Sequence, residues 1–282
     1  MKRNYIFFIS ILTIIFSCKE IGPVINTSGN GGNNGGGANV DSTQQRIVLL
    51  EDFTATNCPN CPKGRVIIDQ LLAAHPGRIE VVEIHQGPLS VQLYPDDPIL
   101  KTSDGESLAS YLGPPPFWPS GAIDRKLWSV SPDQRLMDRN LWTGVVAQEL
   151  DSNVNIFLGQ NFSYDDASRK LTGSVTVNFL NTVTDALNIT VLITESGIVA
   201  GQLDGLTPIP EYVHHNVLRD ILTNYTGDIV SGNKTQGSSW TYNLSPYIVD
   251  GTWNADSCRV IALVSKSVGT YDVLQVIGAP LK

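Results

Sequence analysis

The segment from Arg46 to Ile84 constrains this chain most. An apolar run, a Cys-x-x-Cys, a helical pattern and a second apolar run follow in direct succession. Ile47-Val48-Leu49-Leu50 shows no period-2 alternation, which is how a strand buried on both faces reads. A helix is predicted from about Pro59 to Ala74 on Val66, Ile67, Leu71 and Leu72, and Pro76-Gly77 stops it. Ile79-Glu80-Val81-Val82-Glu83-Ile84 reads as a second buried strand. The expected product is an α/β layer built on a parallel or mixed sheet.

Cys58 and Cys61 lie where the first strand hands over to the helix. Unpaired backbone N–H groups and the helix dipole favour a thiolate at such a place. Pro59 at the first helical position would cost nothing, because that N–H is unbonded anyway. Two intervening residues let Cys61 reach Cys58 and close a small ring, a pair able to carry two electrons through a mixed disulfide. The other use of Cys-x-x-Cys is half of a zinc site. A second cysteine pair is absent and the four histidines are scattered at 75, 85, 214 and 215, so no metal and no cofactor are expected.

Asp52-Phe53-x-Ala55-x-x-Cys58-x-x-Cys61 resembles the active-site strand and loop of the thioredoxin superfamily. The resemblance implies that Cys58 is the nucleophile, that Cys61 resolves the mixed disulfide, and that Asp52 is a buried carboxylate moving the Cys61 proton. It also implies a cis-proline facing the pair. Pro119 fits that place, with a short strand beginning at Ser120. Asn57 replaces the usual tryptophan, and Pro59-Asn60 is not a familiar dipeptide between the cysteines. Ser131-Pro132-Asp133-Gln134 predicts an N-cap, a proline at N1 and a capping box, opening a helix on Leu136, Leu141, Val145 and Leu150. Between them Gln86–Thr102 is an insertion, expected to form a rim over the cysteine site.

The first residues read as an address. Lys2 and Arg3 precede an apolar run from Ile6 to Phe16, too short to cross a bilayer and right for a secretory signal. Ile15-Phe16-Ser17-Cys18 resembles a bacterial lipoprotein signal with Cys18 as the lipidated residue, so the membrane partner would be reached through a lipid anchor. Lys19–Gln45, with its Gly/Asn-rich centre, has a flexible-coil composition, and Asp41-Ser42-Thr43 resembles a bacterial O-glycosylation acceptor. The chain carries 19 Lys+Arg against 27 Asp+Glu, a net charge of −8, which argues against nucleic acid as a partner.

Beyond residue 150 short strands alternate with turn residues. They are read at Val154–Leu158, Leu171–Phe179, Ala186–Glu195, Ser238–Asn243, Arg259–Ser265 and Tyr271–Ile277, a spacing that predicts an all-β antiparallel sandwich. Glu211–Arg219 interrupts that pattern. His214 and His215 are adjacent and cannot converge on one ion, so structural roles are expected. Cys258 opens an alternating strand and is expected to be a buried thiol. The expected organisation is therefore a signal at 1–17, a lipidated cysteine and linker at 18–45, a thioredoxin-like α/β domain at 46–150 and the β-sandwich at 151–282.

Several of these segments together resemble the twenty-eight-kilodalton outer-membrane-protein family of Bacteroidetes lipoproteins. They are Val48–Thr54 before Cys58-x-x-Cys61-Pro62, Pro119-Ser120-Gly121 with Asp124-Arg125, Tyr212-x-His214-x-x-Val217-Leu218-Arg219, and Val260–Val264. That resemblance implies a lipid anchor at the outer membrane. Three readings compete: thiol–disulfide exchange on exported proteins; a non-catalytic role in which the disulfide is structural and the β half binds a partner or surface ligand; and a helper subunit of a nutrient-uptake or envelope complex with no chemistry of its own. An enzyme needs Cys58 exposed. A scaffold would bury the pair or cover it with Gln86–Thr102.

Overall fold

Val48, Leu50 and Ile123 turn to one side of a sheet while Leu49, Phe53 and Ala122 turn to the other, and both sides are buried. That double burial is why the first strand is apolar without alternation. The structure is a computed structural model, and it describes residues 45–282. Cys18 and the expected signal and linker up to residue 44 lie outside the described residues.

The first half runs β1 (Val48–Thr54), α1 (Cys61–Ala74), β2 (Ile79–His85), α2 (Ser103–Leu112), β3 (Ser120–Ile123), β4 (Met137–Asp138) and α3 (Arg139–Leu150). β1 pairs parallel with β2, Val48 opposite Ile79 through Thr54 opposite His85, and antiparallel with β3 on its other side. α3 begins later than the sequence predicted. Its N-cap is Asp138, whose carboxylate accepts the Asn140 N–H at 2.9 Å. Ser131 instead lies in a tight turn, pairing with Trp128 and donating its hydroxyl to the Gln134 carbonyl. A Ser-Pro-x-Gln signal is local, and here the turn closed on Trp128 takes it.

The second half runs β5 (Ile156–Asp165), β6 (Lys170–Phe179), β7 (Leu187–Glu195), β8 (Ile198–Asp204), β9 (Thr207–His214), β10 (Val217–Ile221), β11 (Asp228–Ile229), β12 (Ser239–Ile248), β13 (Cys258–Lys266) and β14 (Val273–Pro280). These strands do not close on themselves as an independent all-β sandwich. β14, β13, β7 and β10 continue the sheet of the first half in the order β14-β13-β7-β10-β2-β1-β3-β4, and β11 adds to β7. The seam is a parallel contact of Val217 with Glu83, where the Glu83 N–H reaches the Asn216 carbonyl at 2.8 Å. The fold is mixed α/β, with a nine-stranded sheet crossing the 150/151 position, a three-stranded sheet β12-β6-β5 and a two-stranded hairpin β8-β9.

Three cores follow from this layering. α2 covers one face, where Leu108, Ala109 and Leu112 meet Leu49, Phe53, Leu192, Leu218 and Ile261. On the other face α1 and α3 bury Val48, Leu50, Ile68, Trp142 and Val146. Beside them the three-stranded sheet packs Leu158, Val175 and Phe179 on Val191, Ile193, Val260 and Ala262. The part that was expected to be a sandwich is one layer of β5, β6 and β12 laid on the shared sheet.

Candidate functional site

Cys58 and Cys61 form a disulfide with their Cα atoms 5.5 Å apart, within the ordinary range. Two tight turns present it: the Cys58 N–H donates to the Ala55 carbonyl, and the Cys61 N–H to the Cys58 carbonyl, both at 3.3 Å. α1 starts at Cys61, with Asn60 as N-cap and Pro62 in its first turn. Pro59 therefore lies two residues before the helix instead of at its first position, and the first-turn proline is Pro62. The Trp118–Pro119 peptide is cis. Pro119 packs on α1 so tightly that a Cβ on Gly64 would lie 3.0 Å from its Cγ. Trp118, Leu89 and Ala55 complete the apolar surround of the pair. Gly87 has φ +76°, and a Cβ there would lie 2.7 Å from the Trp118 ring, so only glycine lets the indole lie across that loop.

The pair is closed over from two sides. From one, β8 runs along the cysteine loop: the Leu203 N–H donates to Thr56 O at 2.8 Å and the Gly205 N–H to Pro59 O at 2.9 Å. The buried Gln202 amide donates to Ala55 O at 3.3 Å and to Cys58 O at 3.2 Å. From the other, the 86–102 segment is tied down by Asn57 N–H to Leu89 O at 3.0 Å and Thr56 Oγ1 to Val91 O at 2.5 Å. Cys58 is left 1% exposed and Cys61 4%.

Asp52 is fully buried in β1 beside Glu83 in β2, and its Oδ1 has no hydrogen-bond partner. Burial, then the Glu83 charge, push its carboxyl well above the usual range, against the opposing pull of Arg65. Arg65 stands one turn after Cys61 on α1 and pairs with Glu83 at 2.9 Å. Burial pushes Glu83 up to about 7 even so. His85 is buried with both ring nitrogens unpartnered, and burial followed by the His214 charge holds it neutral, well below the usual histidine range. Its ring meets His214 edge-on at 5.1 Å. Burial lowers His214 to about 4.

Asp52 Oδ1, both His85 nitrogens, Gln86 Nε2, Trp118 Nε1 and His214 Nε2 make six of the eleven buried side-chain atoms without a partner among the described residues. They gather around the ends of β1 and β2, Trp118 reaching Gly87 from just before β3 and His214 reaching His85 from the end of β9.

The structure thus brings Cys58, Cys61, Asp52 and Pro119 to one end of the sheet. Cys258 is elsewhere, a free buried thiol packed with Val260 and Trp253, and burial followed by Glu195 raises it to about 12. Among the described residues no group of three or more metal-ligating side chains converges. Sequence reasoning missed Gln202, His85 and Trp118. The signal for Gln202 was Asp204-Gly205, a strong hairpin dipeptide, and Asp204 does pair with Thr207 across a two-residue turn with Gly205 at φ +58°.

Residues 117–282, more than half of the chain, match the family described as outer membrane protein Omp28. The chain belongs to the Omp28 outer membrane protein family. Membership places it at the outer membrane, and no helix among the described residues is long and apolar enough to cross a bilayer. No match is found among curated proteins. Two solved structures are similar in fold. HBP35 of Porphyromonas gingivalis has a TM-score of 0.64 at 16% identity, covering 84% of this chain and 75% of that one. A protein from Agrobacterium tumefaciens has a TM-score of 0.51 at 13% identity, covering 85% of this chain and 96% of that one.

Proposed function

We propose that this chain is a lipid-anchored outer-membrane protein that works by binding, with a thioredoxin-like scaffold and a structural Cys58–Cys61 disulfide. The observation that carries the reading is closure: the pair is buried under the β8–β9 hairpin on one side and the 86–102 segment on the other. An incoming thiolate must reach a sulfur to exchange with it, and neither sulfur is open to approach. The order strand, Cys-x-x-Cys, helix, parallel strand, then cis-Pro119 and an antiparallel strand supports the thioredoxin-like assignment. Cys18 would carry the lipid and Lys19–Gln45 would hold the body away from it.

Asp52 favours a second reading, thiol–disulfide exchange on exported proteins. A structural disulfide has no use for an unpartnered buried carboxyl at its end of the sheet. In that reading the reduced Cys58 thiolate attacks a client disulfide, forming one S–S bond and releasing one client thiolate. Cys61, its proton taken by Asp52, then attacks Cys58, so the client leaves reduced and the pair oxidised. The hairpin would have to lift for this to happen, and Pro119 would face the client chain.

Equilibrating the full chain, made unlipidated by Cys18→Ser, in glutathione buffers and counting alkylated thiols separates the two. A potential below about −300 mV is the expected result for a structural bond. A value between roughly −120 and −270 mV would overturn the binding reading and establish the exchanger, with Asp52→Asn then slowing turnover.

A further inference from the structure

Beside the cysteine loop, between the 86–102 segment, the start of α2 and β8, lies a cavity of about 430 Å³. We infer that it is a binding site for a small, uncharged, mainly apolar molecule. This names a ligand class for the binding role proposed above and rests on that role.

The volume falls within the usual range of small-molecule sites. Val91, Pro98, Ile99, Leu100 and Ala200 supply its apolar surface. The inner wall is fixed, because Leu100 and Ala200 are buried against Val217 and Ile198. It is also tightly set: a Cβ on Gly201 would lie 2.8 Å from Leu93, Tyr94 and Asp97, so β8 and the segment meet without slack. The outer part is apolar and open, Val91 being 50% and Ile99 68% exposed. Large aliphatic side chains held at a cavity mouth, rather than scattered over a surface, are what a ligand would cover.

Charge selects the class. The Lys101 ammonium at the rim is already held by Glu106 Oε1 at 2.5 Å and the Gly87 carbonyl at 3.3 Å. Asp97 accepts the Tyr94 N–H at 3.0 Å. The first turn of α2 carries Asp104 and Glu106, and Thr102 caps its Gly105 N–H, so the helix end does not call for an anion. His85 in the wall is neutral. What remains uncommitted is neutral: apolar carbon, the hydroxyl of Ser103 and the two unpartnered ring nitrogens of His85. Two backbone carbonyls on the cysteine-loop side are already taken, Thr56 O by Leu203 and Leu89 O by Asn57. A cavity of this volume has the size of a free small-molecule site.

The test uses two fluorescent probes that differ by one charge, N-phenyl-1-naphthylamine and 8-anilinonaphthalene-1-sulfonate, on the full Cys18→Ser chain with its disulfide intact. The uncharged probe is expected to bind saturably at one site and the sulfonate at least roughly tenfold more weakly. Ile99→Asp, an exposed position whose change should not disturb folding, should weaken the uncharged probe by roughly tenfold or more, the worth of covering one such side chain. Val91→Trp, which fills the mouth, should do the same. Absence of saturable binding, equal binding of the sulfonate, or indifference to both substitutions would each overturn the inference. Because fluorescence reports the cavity and thiol alkylation reports the disulfide, either proposal can fail while the other stands.

Discussion

β1 carries two buried polar clusters, and the two are opposites. At its middle Arg125 forks onto Glu51, the residue before Asp52, at 2.6 to 3.2 Å, with both side chains buried. Arg46 pairs with Asp124 at 2.5 Å and Glu149 at 2.8 Å, and Asp124 also accepts the Leu49 N–H. Lys126 completes Glu149, leaving only Arg46 Nε without a partner. Toward its end Asp52, His85, Gln86 and His214 are as deeply buried and mostly unpaired. The same strand thus runs from a satisfied network to an unsatisfied one. At equal burial the first cluster keeps its charges matched, whereas in the second burial holds the histidines neutral.

The largest expected effect breaks the paired cluster. Arg125→Ala leaves Glu51 buried with no counter-charge and should cost about 3–5 kcal/mol, read as a shift of the urea midpoint. If the loss were below about 1 kcal/mol, the paired cluster would be no tighter than the other. Next comes the pH dependence of the unpaired cluster. His214 at about 4 in the fold, against about 6.5 when unfolded, stabilises the fold while neutral, and this contribution is lost as pH falls through that window. His214→Phe should therefore gain about 2 kcal/mol on the parent at pH 4.5 relative to pH 7.5, and an unchanged difference between those two pH values would contradict the assignment. The smallest effect sharpens the picture of closure. Gln202→Ala removes the amide clasp on Ala55 and Cys58 and should cost about 1 kcal/mol of stability. It should also speed reduction of the disulfide by dithiothreitol several-fold, with the equilibrium potential unchanged; equal rates would mean the hairpin does not control access.

How much of this could be seen in the sequence depends on what kind of signal each part carries. β1, α1 and β2 were legible because buried strands flanking a cysteine motif write themselves as apolar runs, and β6, β7, β13 and β14 for a similar reason. The β8–β9 hairpin was not read. Gly201, Asp204-Gly205, Pro208 and Pro210 look like loop residues one by one, yet Gly201 answers a crowded contact and the prolines sit in a strand whose outer edge is unpaired, where no N–H is needed. Glu211–Arg219, taken as an interruption, is the end of β9 and the start of β10. Continuity of the sheet past residue 150 was also out of reach, since one parallel contact at Val217 and Glu83 leaves no local mark. Of the residues at the cysteine end of the sheet, Cys58 and Cys61 were singled out by their spacing, and Asp52 and Pro119 only by the resemblance to the thioredoxin superfamily. Of what covers them, the 86–102 segment was expected as a rim, whereas the β8–β9 hairpin comes from residues over a hundred positions away and was not.

β1 is an interior strand, and the described chain enters it directly from Arg46, whose guanidinium is bonded to the carbonyls of Val273 and Leu274 as well as to Asp124. A drag on the residues before Gln45 would therefore load the ladders to β2 and β3 in shear along their length instead of peeling a strand from an edge. In the lipid-anchored arrangement proposed above, the point of attachment would then be one at which the fold meets mechanical pull in shear.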